Sequence, residues 1–226
     1  MTTCCNAPED TLRICEIFYS LQGESSFAGQ PCVFVRLSGC NLRCAWCDTT
    51  YAYAESTPMS IDEIVEKVES FGCELVEITG GEPMMMQEAG ACKLMAKLLE
   101  RQKTVLLETN GSRPLDAVPQ GVHRIIDLKP PQSKTAHDEA IWRTYAQSWR
   151  STDEVKCVVA DANDFEWCIE KLQQYDAFHR VIVHFSAVWG KLPLAQLADW
   201  ICQSHRPIRL NLQQHKIIWD PNARGV

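Results

Sequence analysis

Short runs rich in apolar and β-branched residues alternate along the chain with segments whose apolar positions recur every three or four residues. That alternation is the pattern of a parallel sheet joined by crossover helices. The runs predict strands over residues 32–37, 74–79, 104–108, 124–128, 154–159, 181–185 and 208–212. Several are apolar almost throughout, as expected of strands covered on both faces. The clearest helix opens at Ser60, whose hydroxyl can cap while Glu63 returns the bond. Ile61, Ile64, Val65 and Val68 form one apolar stripe, and Gly72 ends the helix. Further helices are predicted over 87–101, 137–149, 164–175 and 194–204, each between two strands. Right-handed crossovers curl such a sheet towards an incomplete barrel. No repeat, low-complexity tract or linker divides the chain, so one domain is expected over 1–226, with 1–13 as a mobile tail. Lys129-Pro130-Pro131-Gln132-Ser133 reads as a loop within it.

Composition narrows the classes. A chain of 226 residues, 46% hydrophobic and 23% charged, can bury a full core and reads as globular. A formal charge of -7 argues against a protein built to coat nucleic acid, which needs clustered Lys and Arg, and favours a small polar substrate. No apolar run approaches membrane-spanning length, and Met1-Thr2-Thr3-Cys4-Cys5 has no basic stretch followed by a hydrophobic one, so a cytoplasmic protein without a membrane partner is expected. Twelve cysteines are many for such a chain, yet its core needs no disulfide staples. Cys15, Cys32, Cys73, Cys92, Cys157, Cys168 and Cys202 stand singly among apolar neighbours and read as packing. Cys4 and Cys5 lie in the polar tail, where they read as inert rather than metal-binding.

Loops leaving the carboxyl ends of strands form the active face of such sheets. The unusual residues fall there. Ser38-Gly39-Cys40 follows the first predicted strand, Gly80-Gly81-Glu82-Pro83 the second, Thr109-Asn110-Gly111 the third and Lys129 the fourth. Gly39-Cys40-Asn41-Leu42-Arg43-Cys44-Ala45-Trp46-Cys47 puts three thiols in one loop too polar to be a core segment. A structural zinc site wants four protein ligands, and no nearby His completes this set, so a zinc-binding interaction module is the weaker reading. An electron-carrying cubane also takes four cysteines; three leave one iron open to another ligand. The Gly80-Gly81 turn lets backbone approach a ligand without a Cβ in the way.

Cys-x3-Cys-x2-Cys with Trp46 before the last Cys, together with Gly80-Gly81-Glu82-Pro83, resembles the radical S-adenosylmethionine superfamily. The resemblance implies a partial TIM-like barrel, a 4Fe-4S cluster on Cys40, Cys44 and Cys47, and adenosylmethionine on the open iron. Leu21-Gln22-Gly23-Glu24, Arg36, Cys47-Asp48-Thr49 and Gln213-Gln214-His215-Lys216 resemble, within it, the 7-carboxy-7-deazaguanine synthases, over nearly the whole chain. Membership implies ring contraction of 6-carboxy-5,6,7,8-tetrahydropterin to 7-carboxy-7-deazaguanine with loss of ammonia, a step towards queuosine. It implies substrate contacts from Leu21, Gln22, Gly23, Glu24, Arg36, Thr109, His215 and the Val226 carboxylate, and cofactor contacts from Trp46, Asp48, Gly80, Gly81, Glu82, Gly111, Asp127, Lys129, Ser186 and Trp189. Thr49 would carry Mg2+, an electron donor such as flavodoxin would dock near the cluster, and a homodimer is the expected assembly. Lys156, in mid-strand, either reaches the cofactor or meets a surface carboxylate. Arg36, within Val33-Phe34-Val35-Arg36-Leu37, needs a partner if it is buried, and a carboxylate gripped by its planar fork would serve. The nearest enzymatic alternative is a glycyl-radical activating enzyme, which shares the cluster and the glycine turn but acts on a protein.

Overall fold

A computed structural model describes residues 10–85 and 87–226. Nine strands form a single sheet: β1 (Thr11–Leu21), β2 (Pro31–Leu37), β3 (Thr57–Ser60), β4 (Leu75–Gly80), β5 (Thr104–Thr109), β6 (His123–Asp127), β7 (Glu154–Val159), β8 (Ile182–Ala187) and β9 (Ile208–Leu210). Their spatial order is β3-β1-β2-β4-β5-β6-β7-β8-β9. From β2 to β9 every neighbour is parallel, whereas β1 runs antiparallel to both β2 and β3. The long helices are α1 (Ile61–Glu69), α2 (Glu88–Glu100), α3 (Glu139–Ser148), α4 (Ala162–Gln174) and α6 (Leu194–Ser204); α5 (Ala177–Arg180) and α7 (Gln214–Ile218) are single turns.

All seven predicted strands and five predicted helices are present, with ends shifted by a few residues. The helix at Ser60 starts as its residues dictate: the Ser60 hydroxyl accepts from Glu63 N at 3.2 Å and Glu63 Oε2 accepts from Ser60 N at 2.7 Å. Two strands are additions. In β1 only Leu12 and Ile14 are buried among its apolar residues, so its pattern is too weak to announce a strand. The mobile tail expected over 1–13 is corrected accordingly: Thr11, Leu12 and Arg13 pair with Ser60, Met59 and Pro58 of β3. Cys4 and Cys5 lie outside the described residues.

The strands are not apolar on both faces. Val33, Val35, Val76, Ile78, Val105, Leu107, Val155 and Cys157 point outward beneath the helices and are buried there. The alternate positions, Phe34, Arg36, Glu77, Thr79, Glu108, Ile125, Asp127, Lys156 and Val158, line an interior cavity. The barrel does not close by main-chain pairing between β1 and β9. Residues 22–30 fold into a loop held by bonds from Gln22 N to Gln30 O and Gly29 N to Gln22 O, and this loop fills the gap. Gln214 N donates to Gly23 O at 3.0 Å, Gln213 Nε2 to Glu24 Oε1 at 3.1 Å, and Arg209 Nη1 to Ser26 Oγ at 3.1 Å. Among the described residues no helix is long and apolar enough to cross a membrane.

Candidate functional site

The cysteine loop leaves β2 at Gly39, and β4 ends against its stem. Gly81 N donates to Leu37 O at 3.1 Å and Glu82 N to Gly39 O at 2.8 Å. A Cβ at Gly80 would lie 2.2 Å from Leu37 O, and one at Gly81 would lie 2.0 Å from Gly39 O. Both glycines are therefore required by the approach of two chain segments, a reason that precedes any ligand. Glu82, buried behind them, accepts from Met84 N (2.9 Å), Thr109 Oγ1 (2.7 Å) and Asn110 N (2.6 Å), which ties the end of β4 to the end of β5. Asn110 carries the tie onward, its Nδ2 reaching Asn41 Oδ1 at 3.1 Å and Cys40 Sγ at 3.7 Å.

Cys40, Cys44 and Cys47 are free thiols, all partly buried, and all three line a cavity of about 550 Å³. Among the described residues no set of three or more His, Cys, Asp or Glu converges as the ligands of one ion do. Burial pushes the Cys44 thiol above its ordinary value, and the nearby Lys129 ammonium opposes that rise. Leu42 N at 3.4 Å and Asn110 Nδ2 brace the Cys40 sulfur as donors brace a thiolate ligand. The thiols and their donors thus suit an iron-sulfur cluster.

Opposite the cysteines stands an array of charges. Lys156 Nζ lies 2.9 Å from Glu24 Oε2 and 3.5 Å from Asp127 Oδ1, and it also contacts Glu108. Burial alone would raise the Glu24 and Glu108 carboxyls, but Lys156 outweighs it and both are lowered. Burial and the adjacent Glu108 instead raise Glu77 well above the usual carboxylate range. Asp127 also accepts from Lys129 Nζ at 2.6 Å. Arg36 Nε and Tyr51 Oη both donate to Glu16 Oε1 at 2.8 Å, so Arg36 does have a carboxylate partner inside the chain. Among the described residues only Nε donates a hydrogen bond, and the two terminal nitrogens face the cavity side available to a ligand. Against its desolvation, Lys216 at 2.6 Å and the Thr49 hydroxyl at 2.9 Å hold the Asp48 carboxyl low. Desolvation lowers His215, favouring its neutral form.

The structure gathers most sequence-predicted positions onto this one cavity: Leu21, Gln22, Gly23, Glu24, Arg36, Trp46, Asp48, Thr49, Gly80, Gly81, Thr109, Asp127, Lys129, Trp189, His215 and Val226. Glu82, Gly111 and Ser186 stand behind the lining. Glu82 is occupied as described, Ser186 Oγ accepts from Asn211 Nδ2 at 3.0 Å, and a Cβ at Gly111 would lie 2.5 Å from Asp127 O. Thr109 lines the cavity but spends its hydroxyl proton on Glu82; Thr79, one strand away, also lines it and donates to Glu108 at 3.3 Å. Lys156 meets buried carboxylates rather than a surface one. Thr79, Glu77 and Glu108 were missed, though an acid such as Glu77 between Val76 and Ile78 is the same signal that singled out Arg36.

A model of the Radical SAM superfamily matches residues 34–129. The 7-carboxy-7-deazaguanine synthase of Chlorobaculum tepidum is 45% identical over 219 residues, 96% of this chain and 99% of the relative. The protein of the same name from Koribacter versatilis is 41% identical over 95% of this chain and its own full length. The crystal structure of QueE from Escherichia coli superposes with a TM-score of 0.70 at 21% identity, covering 89% of this chain and 93% of that one, which shows the common fold. The barrel, the three-thiol loop and these full-length likenesses agree: the chain belongs to the 7-carboxy-7-deazaguanine synthase family of the radical SAM superfamily.

Proposed function

We propose that this chain contracts the ring of 6-carboxy-5,6,7,8-tetrahydropterin to 7-carboxy-7-deazaguanine with release of ammonia, in deazapurine biosynthesis. The observation that carries the reading is one shared cavity, with three thiols on one side and ring- and carboxylate-recognising side chains on the other. Family membership weighs against the glycyl-radical activating and zinc-module alternatives.

Cys40, Cys44 and Cys47 would hold the 4Fe-4S cluster, which together with adenosylmethionine would supply one-electron radical chemistry. Trp46, Asp48, Gly80, Gly81, Asp127, Lys129 and Trp189 hold adenosylmethionine, with Lys129 and Asp127 as a charge pair beside it. Glu82, Gly111 and Ser186 support that wall from behind. Arg36 offers its free terminal nitrogens to the substrate carboxylate, and Glu24, Gln22 and Glu108 present acceptors and donors to the guanidine-like edge of the ring. His215, neutral, and Val226 close the remaining side. Thr49 would carry Mg2+ through its hydroxyl, which lies beside the Asp48 carboxylate, and the ion would supply a positive charge next to the substrate. An electron donor such as flavodoxin would dock near the cysteine loop.

The chain acts as one domain in the cytoplasm and assembles as a homodimer. The exposed Leu194, Leu210, Ile217 and Ile218 near the β9 edge support the assembly, which light scattering of the purified protein measures. Anaerobic reconstitution followed by incubation with reductant, adenosylmethionine and carboxytetrahydropterin should yield the deazaguanine product and ammonia. A cluster-loaded sample that forms neither product nor 5'-deoxyadenosine defeats the reading.

A further inference from the structure

Glu77 occupies the floor of the cavity, two residues below Thr79 on the same face of β4, and is 2% exposed. No role above uses it. Its Oε2 accepts a hydrogen bond from Gln22 Nε2, and its carboxyl stands beside that of Glu108 on the cavity face of the neighbouring strand β5. Gln22 is held at its other end too, Oε1 accepting from Glu24 N at 2.8 Å. Glu108 in turn accepts from Thr79 and is paired with Lys156, while its side chain keeps 26% of its exposure and reaches the cavity.

We propose that Glu77 is a positioning residue for the pterin-like ring, bridging Gln22 to Glu108 so that each presents its donors and acceptors to the ring in one fixed orientation. The inference rests on the function proposed above and deepens its specificity.

The hydrogen-bond accounting supports it. Two carboxylates in contact cannot both be ionised without large repulsion, so one keeps a proton. Facing Glu77 are Glu108 from β5, Lys156 from β7, Glu24 from the loop after β1 and the Cys32 thiol from β2. Lys156 stands against Glu108 and Glu24, which leaves Glu77 as the group that retains the proton. The Glu77 hydroxyl donates to Glu108, which stays anionic and so can accept from a ring N–H. The other Glu77 oxygen accepts from Gln22 and turns that amide's oxygen towards Glu24 N. Flipping the Gln22 amide would set its oxygen against a Glu77 acceptor and its NH2 against the Glu24 N–H in a dry site.

Wild-type turnover of carboxytetrahydropterin tests the parent reading; substitutions at Glu77 then test the inference separately. Glu77→Leu should raise the substrate KM about tenfold, the size of one lost buried hydrogen-bond partner, with kcat and the cluster absorption nearly unchanged. Glu77→Gln, which can still donate to Glu108 and accept from Gln22, should recover most of that loss. An unchanged KM in Glu77→Leu, or an equal loss in both variants, overturns the proposal. Infrared difference spectra of wild type against Glu77→Gln at pH 7 need neither turnover nor the leucine variant. Loss of a carboxylic-acid carbonyl band supports the proposal, and loss of a carboxylate band alone overturns it.

Discussion

The two walls of the cavity are built on opposite plans. The cysteine wall is carried by loops: residues 40–47, the Gly80-Gly81 turn and Asn110 are braced by main-chain bonds and by Glu82. The facing wall is carried by strands, and its ionisable groups sit in the sheet itself, Arg36 on β2, Glu77 on β4, Glu108 on β5 and Lys156 on β7. A loop can lose one polar side chain and remain folded. A strand-borne charge in the interior is stable only while its partner stays, so substitutions on this wall should cost stability as well as activity.

The sharpest break of that contrast is Cys44→Ala. Cluster absorption and all turnover should vanish, while far-ultraviolet circular dichroism and the unfolding midpoint stay close to wild type. Lys156→Met should cost stability together with activity. It strands Glu24, Glu108 and Asp127 without their shared cation and should destabilise the fold by about 3–5 kcal/mol, read from urea unfolding. Its pH dependence has a definite sign. The folded Glu24 and Glu108 carboxyls are lowered, so in wild type they contribute stability above their unfolded values that is lost as pH falls through the folded ones. The gap between wild type and Lys156→Met should therefore be widest at neutral pH and shrink on acidification below about 4.5.

Arg36→Ala should lower kcat/KM by roughly ten- to a hundredfold, about 1.5–3 kcal/mol for a charge-assisted contact, chiefly through KM and with the cluster intact. Thr49→Ala is the mildest. It should keep the cluster and basal turnover but lose the response to added magnesium, checked by titrating Mg2+ into metal-free enzyme. Normal activation in that variant would remove Thr49 as the ligand.

The same contrast decides what could be read from the residues beforehand. The loop wall announces itself because Cys40, Cys44 and Cys47 are chemically distinctive and Gly80-Gly81 is locally unusual, so spacing alone nearly suffices. The strand wall hides its chemistry in alternation. Glu77 and Lys156 each lie between apolar neighbours, and a run such as Leu75 to Ile78 registers as buried strand before its one acid is weighed. β1 escaped for a different cause. Its apolar positions are spread over both faces of an edge hairpin, and its pairing with β3 depends on residues more than forty positions away. The bond from Thr109 to Glu82, like that from Thr79 to Glu108, follows from side-chain packing between strand ends that no local pattern records.

The unpaired seam of the barrel has one more implication. Glu24 belongs both to the stitching across the gap and to the surface that meets the guest molecule. A ring resting on Glu24 would act as a rivet through the join, so occupancy and mechanical closure become one event. Hydrogen exchange at Gly23, Glu24 and Gln214 should then slow on loading, more than at the outer helices, and the enzyme would grip most firmly where its own circumference is incomplete.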